Sequence, residues 1–105
     1  MQKFSDNLLM LDSADHVKRI ELYDEKDQPA GVIENKPGTQ GSIKVYHHLF
    51  KMFGEINTDA AVEGLALYAE HTEDAEDHPG KHPNIDRLLT VLDKEQTLSM
   101  KVVTE

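Results

Sequence analysis

An α+β fold follows from how two hydrophobic periods are distributed along the 105 residues. Apolar residues suited to strands fall at residues 17–34 and 97–103, and helical spacing fills most of the chain between them. Two Pro–Gly pairs, at Pro37–Gly38 and Pro79–Gly80, punctuate the elements without a linker that would split the chain. The expected architecture is a small three-stranded antiparallel sheet, a hairpin plus a C-terminal strand, packed by three main helices and a short N-terminal helix. A chain of this length fits one domain, residues 1–105, which buries roughly 65% of its unfolded surface.

The first helix is expected to take Ser5 as its N-cap, with Phe4 stapled onto Leu9 and Phe4, Leu8 and Leu11 on one face. It ends near Asp12–Ser13. Val17, Ile20, Leu22 and Tyr23 favour a strand, "DEKDQP" a polar turn, and "AGVIE" the return strand. Strict alternation would put Ile20 and Leu22 on one face and Val17 and Tyr23 on the other. In "NKPGTQGS", Pro37 fixes the first φ of a type II turn and Gly38 accepts the positive second one. Ser42 is expected to cap the next helix, whose stripe is Ile43, Tyr46, Leu49, Phe50 and Phe53, with Gly54 as its left-handed stop. Asn57 or Thr58 then caps one long acidic helix. Its buried side reads Ala61, Val62, Leu65, Tyr68, Ala69 and Thr72, and its outer side Glu63, Glu70, Asp74 and Asp77. Pro79–Gly80 turns the chain, and Pro83 suits the first position of a helix striped by Ile85, Leu88, Leu89 and Leu92. "TLSMKVV" closes the sheet with Leu98, Met100 and Val102 inward.

The chain has no cysteine, which excludes disulfides, thiolate nucleophiles and cysteine-ligated metals. The N-terminal apolar run, Leu8 to Leu11, is too short for a signal-peptide core, and no stretch nears the ~20 apolar residues of a membrane span. The expectation is a soluble cytoplasmic protein. Its net charge of −9 is concentrated: residues 54–78 hold eight acids and no Lys or Arg. Such a face repels phosphate backbones and anionic lipid, so neither nucleic acid nor membrane is expected as a partner.

In "AEHT" and "PGKHPNID" the chain resembles a small family of uncharacterised proteobacterial proteins of about this length, a domain of unknown function. The resemblance runs over most of the chain. It implies a bacterial cytosolic origin and carries no active-site residues with it.

Two constellations bear on function. His71, Asp74 and His78 stand at i, i+3 and i+7, with His82 across the turn, a spacing that lets one helix offer ligands to a divalent metal. On one continuous helix the trio points mostly outward, and no supporting shell is visible; no cofactor is expected, and divalent-metal binding is the alternative reading. Glu63, Glu70, Asp74 and Asp77 form a carboxylate stripe suited to a basic protein partner. "KPGTQGS" lacks the lysine of a phosphate-binding loop and is explained by a turn and a cap. His47 and His48 fall on the polar side beside Lys44 and Lys51, and no Ser–His–Asp order or dinucleotide fingerprint occurs. The reading is therefore a non-catalytic interaction module, with a homodimer expected to cover the exposed edge or face of so small a sheet.

Overall fold

The computed structural model describes residues 2–104, which form five helices and four strands. In chain order these are α1 (Phe4–Leu9), β1 (Val17–Tyr23), β2 (Pro29–Glu34), α2 (Gln40–Phe53), β3 (Glu55–Ile56), α3 (Thr58–Tyr68), α4 (Glu70–Asp77), α5 (Pro83–Lys94) and β4 (Leu98–Thr104). The sheet order is β2-β1-β4-β3 and every neighbouring pair is antiparallel. The α+β class is as expected, but the sheet has four strands rather than three. The extra strand is two residues long, with Glu55 opposite Ser99 and Ile56 opposite Leu98. Two residues carry no readable period; Ile56 nevertheless is fully buried and seals the edge of the sheet.

The hairpin also departs from strict alternation. Between Val17 and Arg19 the β1–β4 register slips, because two steps along β1 match one along β4. This is a β-bulge, and it reverses the parity of Val17. Val17, Ile20 and Leu22 therefore all enter the core, at 1%, 0% and 0% exposure. Ile33, Ile56 and Leu98 join them, and Met100 and Val102 pack partly against the same cluster. The opposite side of β1 carries a polar chain in which Arg19 Nε and the Tyr23 hydroxyl each donate to Glu21 across 2.7 Å.

The helices supply the other half of the core. α2 buries Ile43, Val45, Tyr46 and Leu49, while Phe50 stays exposed. It begins at Gln40 rather than after Ser42, whose hydroxyl instead accepts a 2.7 Å bond from Tyr68. Gly54 ends it in the left-handed conformation, its N–H donating to the Phe50 carbonyl at 2.8 Å. Asn57 caps α3 by accepting from the Ala60 N–H at 2.8 Å. Gly64 lets α3 lie against its neighbours: a Cβ there would sit 2.7 Å from Leu88 Cδ1 and 3.0 Å from Leu49 Cδ1. At the N-terminus, Lys3 rather than Ser5 caps α1, its N–H donating to Asp6. The Phe4–Leu9 staple does not form, since Leu9 is exposed and Phe4 stacks on Tyr68 with 5.1 Å between ring centroids.

The expected long acidic helix is two helices. Ala69 adopts φ 52°, ψ −118°, which ends α3 and starts α4 at a new angle. The break changes which residues are buried. Ala60, Ala61, Gly64 and Tyr68 face the core in α3, whereas Val62, assigned inward by periodicity, is exposed. In α4 only Ala75 is buried. Among the described residues no helix is long and apolar enough to cross a membrane.

Candidate functional site

Two features stand out around α4: an ion-paired hub at Asp74 and a groove on the side facing α1. The hub is built by the turn between α4 and α5. Pro79 stops the helix and Gly80, at φ 93°, reverses the chain, with Lys81 N–H donating to the His78 carbonyl at 3.1 Å. The reversal brings Lys81 and His82 back over the end of α4. Asp74 then accepts from His82 Nε2 at 2.6 Å and from Lys81 Nζ at 2.9 Å, and lies 3.2 Å from His78 Nδ1. These donors, His82 first and Lys81 second, hold the Asp74 carboxyl far below the usual carboxylate range. The Gly80 N–H is in turn tied to Asp86 at 2.9 Å, so the turn is anchored to α5 as well.

The sequence-derived metal set is only partly brought together. Asp74 and His78 meet, but His71 turns toward α1, its ring edge-on to Phe4 at 5.1 Å and 5.7 Å from the His82 ring. Among the described residues no group of three or more His, Asp or Glu side chains is placed to hold a metal ion. The side chain that completes the hub is Lys81, a cation where a metal reading needs a donor. "HPGK" was legible as a turn; what it could not show was that the turn delivers an ammonium to Asp74.

The four carboxylates assigned to an outer stripe do not act as one surface. Glu63 lies 3.3 Å from His48 of α2. Glu70 accepts the Phe4 N–H at 2.8 Å, which ties α1 to α4 and lowers the Glu70 carboxyl below its ordinary value. Asp74 is committed to the hub. Asp77 is exposed at the end of α4. The acids of α4 that have neither a hydrogen bond nor an ion pair among the described residues are Glu73, Glu76 and Asp77.

Two of those three, Glu73 and Glu76, line a groove of about 620 Å³ where α1, α3 and α4 meet. Leu65, Ala66 and Ala69 give it an apolar floor; Glu70, Glu73 and Glu76 stand along one wall, and Gln2, Lys3 and Asn7 along the other. Asn7 is itself nearly buried and donates to the Leu67 carbonyl at 2.9 Å, so the α1 wall is fixed to α3. The break at Ala69 falls inside the lining, so the groove is shared between α3, which gives Leu65 and Ala66, and α4, which gives Glu70, Glu73 and Glu76. Sequence reasoning missed the break, since alanine is the strongest helix former and gives no sign of one.

No curated protein and no solved structure matches the chain. A family model does match, over residues 4–102, and the chain belongs to that family, described as an uncharacterized protein conserved in bacteria (DUF2322).

Proposed function

We propose that the protein is a non-catalytic binding module that takes a basic amphipathic segment of another protein into the groove between α1, α3 and α4. The observation that carries this reading is the pairing of an apolar floor, Leu65, Ala66 and Ala69, with carboxylates that have no partner among the described residues, Glu73 and Glu76. Apolar side chains of the partner would cover the floor while Lys or Arg heads reach the acidic wall, the division of labour that long cationic side chains favour. The charge distribution supports the same class of partner, because residues 54–78 contain no Lys or Arg to neutralise their eight acids. The docking acids are thus Glu73 and Glu76, with Glu70 and Asp77 beside them, rather than Glu63 and Asp74.

A synthetic helical peptide of alternating Leu and Lys faces tests this by amide shifts in a nitrogen-15 NMR titration. Saturable shifts at Leu65, Ala66, Ala69, Glu73 and Glu76, weakened about tenfold or more in Glu73→Lys/Glu76→Lys, are expected. Shifts scattered over the surface, or equal binding by the double variant, would overturn the reading.

A further inference from the structure

A second, separate site is built around Arg87. This side chain leaves the inner part of α5 and is only partly exposed. Its Nη1 donates to the Tyr46 hydroxyl at 3.2 Å and to Asn84 Oδ1 at 3.0 Å, and its guanidinium carbon lies 5.7 Å from the centre of the Tyr46 ring. Tyr46 is fully buried and its own hydroxyl donates to the Asn84 carbonyl at 2.6 Å, so the arginine is held by fixed groups. On the β2 side the strand leaves out a side chain: a Cβ at Gly31 would fall 2.6 Å from Arg87 Nη2. The guanidinium is seated from both sides.

What is missing is a counter-charge. No carboxylate of the described residues makes an ion pair with Arg87. Among the described residues its Nε and Nη2 have no hydrogen-bond acceptor, and no buried side-chain nitrogen or oxygen lacks a partner there, so these two donors keep some exposure to solvent. Arg87 lines a cleft of about 320 Å³ together with Ala30, Pro83, Asp86, Thr90, Gln96 and Leu98. A half-sequestered cation without an anion is costly, and a planar fork with two free N–H groups matches the two oxygens of a carboxylate or phosphate. Asp86 in the lining opposes a doubly charged phosphate. Ala30 and Pro83 offer apolar surface for a short chain, and Thr90 and Gln96 offer further donors.

We infer that the cleft between α5 and the start of β2 binds a small aliphatic monocarboxylate, held bidentately by Arg87. The site is independent of the acidic groove, and the fate of one reading leaves the other standing.

The test titrates butyrate, with inorganic phosphate at matched ionic strength as the control, and follows amide and Arg87 Nε–H resonances. Saturable butyrate shifts confined to Ala30, Gly31, Arg87, Thr90 and Gln96 are expected, with phosphate at least about tenfold weaker. Arg87→Lys keeps the charge and removes the fork, and loss of about tenfold or more in affinity is expected. Because Arg87 also supports Tyr46, Thr90→Leu is the second variant; it fills the cleft, leaves every Arg87 hydrogen bond in place, and should abolish the shifts. No saturable shift in the native chain, phosphate binding as tightly as butyrate, or unchanged binding by Thr90→Leu would each overturn the inference.

Discussion

Asp74 keeps a different company in space from the one its place in the sequence suggests. Its neighbours in sequence, His71 and His78, suggested a ligand set; its neighbours in space are His82, Lys81 and His78. The difference lies in the turn at Pro79–Gly80, whose existence was legible but whose outcome depends on where α5 docks. The consequence for stability has a definite sign. Asp74 binds its proton more weakly folded than unfolded, so its contribution is present above its ordinary value of 3.8 and is lost as pH falls from there toward the depressed folded value. Asp74→Asn, which keeps the shape and removes the charge, is expected to lower the urea midpoint at pH 7. It should also flatten the fall of that midpoint below about pH 4. Urea melts of both proteins from pH 7 down to about pH 2 measure this; parallel curves would show that the hub contributes nothing. A buried hydroxyl gives a simpler case. Tyr68, 3% exposed, donates to Ser42, and burial pushes its phenol well above the ordinary tyrosine range.

Helices and strands were most legible where a chemical stop coincides with a period. Gly54, Asn57 and Pro83 end or begin their helices as their side chains dictate. Three features escaped because their cause is tertiary. The bulge that turns Val17 inward serves the packing of β1 on β4, β3 is too short to show a pattern, and Ala69 breaks a helix despite its propensity. Ala69 sits where an L side chain is strained, at a cost of order 1–3 kcal/mol. Ala69→Gly is therefore expected to stabilise by about 1 kcal/mol after the larger unfolded-state entropy of glycine is subtracted. In a domain of this size that is a rise of several degrees in Tm, roughly 4–8 °C, by calorimetry. If instead Tm falls, glycine's unfolded-state entropy outweighs the strain. Gly64 makes the opposite prediction. Gly64→Ala gains helix propensity but drives a methyl into Leu88 and Leu49, and overpacking of that kind costs about 1–3 kcal/mol. A lower Tm is expected, and an unchanged one would show that the two leucines move aside freely.

At the scale of the whole molecule, the hydrophobic core and the surface charge are arranged with different aims. The core is one continuous cluster from β1 through α2, α3 and α5, and nothing in it looks compromised. The surface is compromised at α4. The break at Ala69 moves Glu70 and Glu73 into the first turn of a new helix, where the dipole welcomes them, but leaves Glu76 and Asp77 in its last turn, where it does not. With a net charge of −9, repulsion among these carboxylates works against the compact state. An exposed ion pair such as Asp12–Lys51 does little to offset it, since pairs of that kind are worth ~0–1 kcal/mol. Repulsion should therefore dominate the salt response: Tm is expected to rise as NaCl goes from about 0.01 M to about 1 M, where the screening length shrinks from ~30 to ~3 Å. Glu73→Gln/Glu76→Gln should raise Tm at low salt and converge with the native curve at high salt. A destabilised double variant would mean that these acids hold the fold together in a way the ion pairs do not reveal. A stabilised one would mean that the protein carries a repulsive cluster at a cost to itself, which is what a surface kept for a basic partner requires.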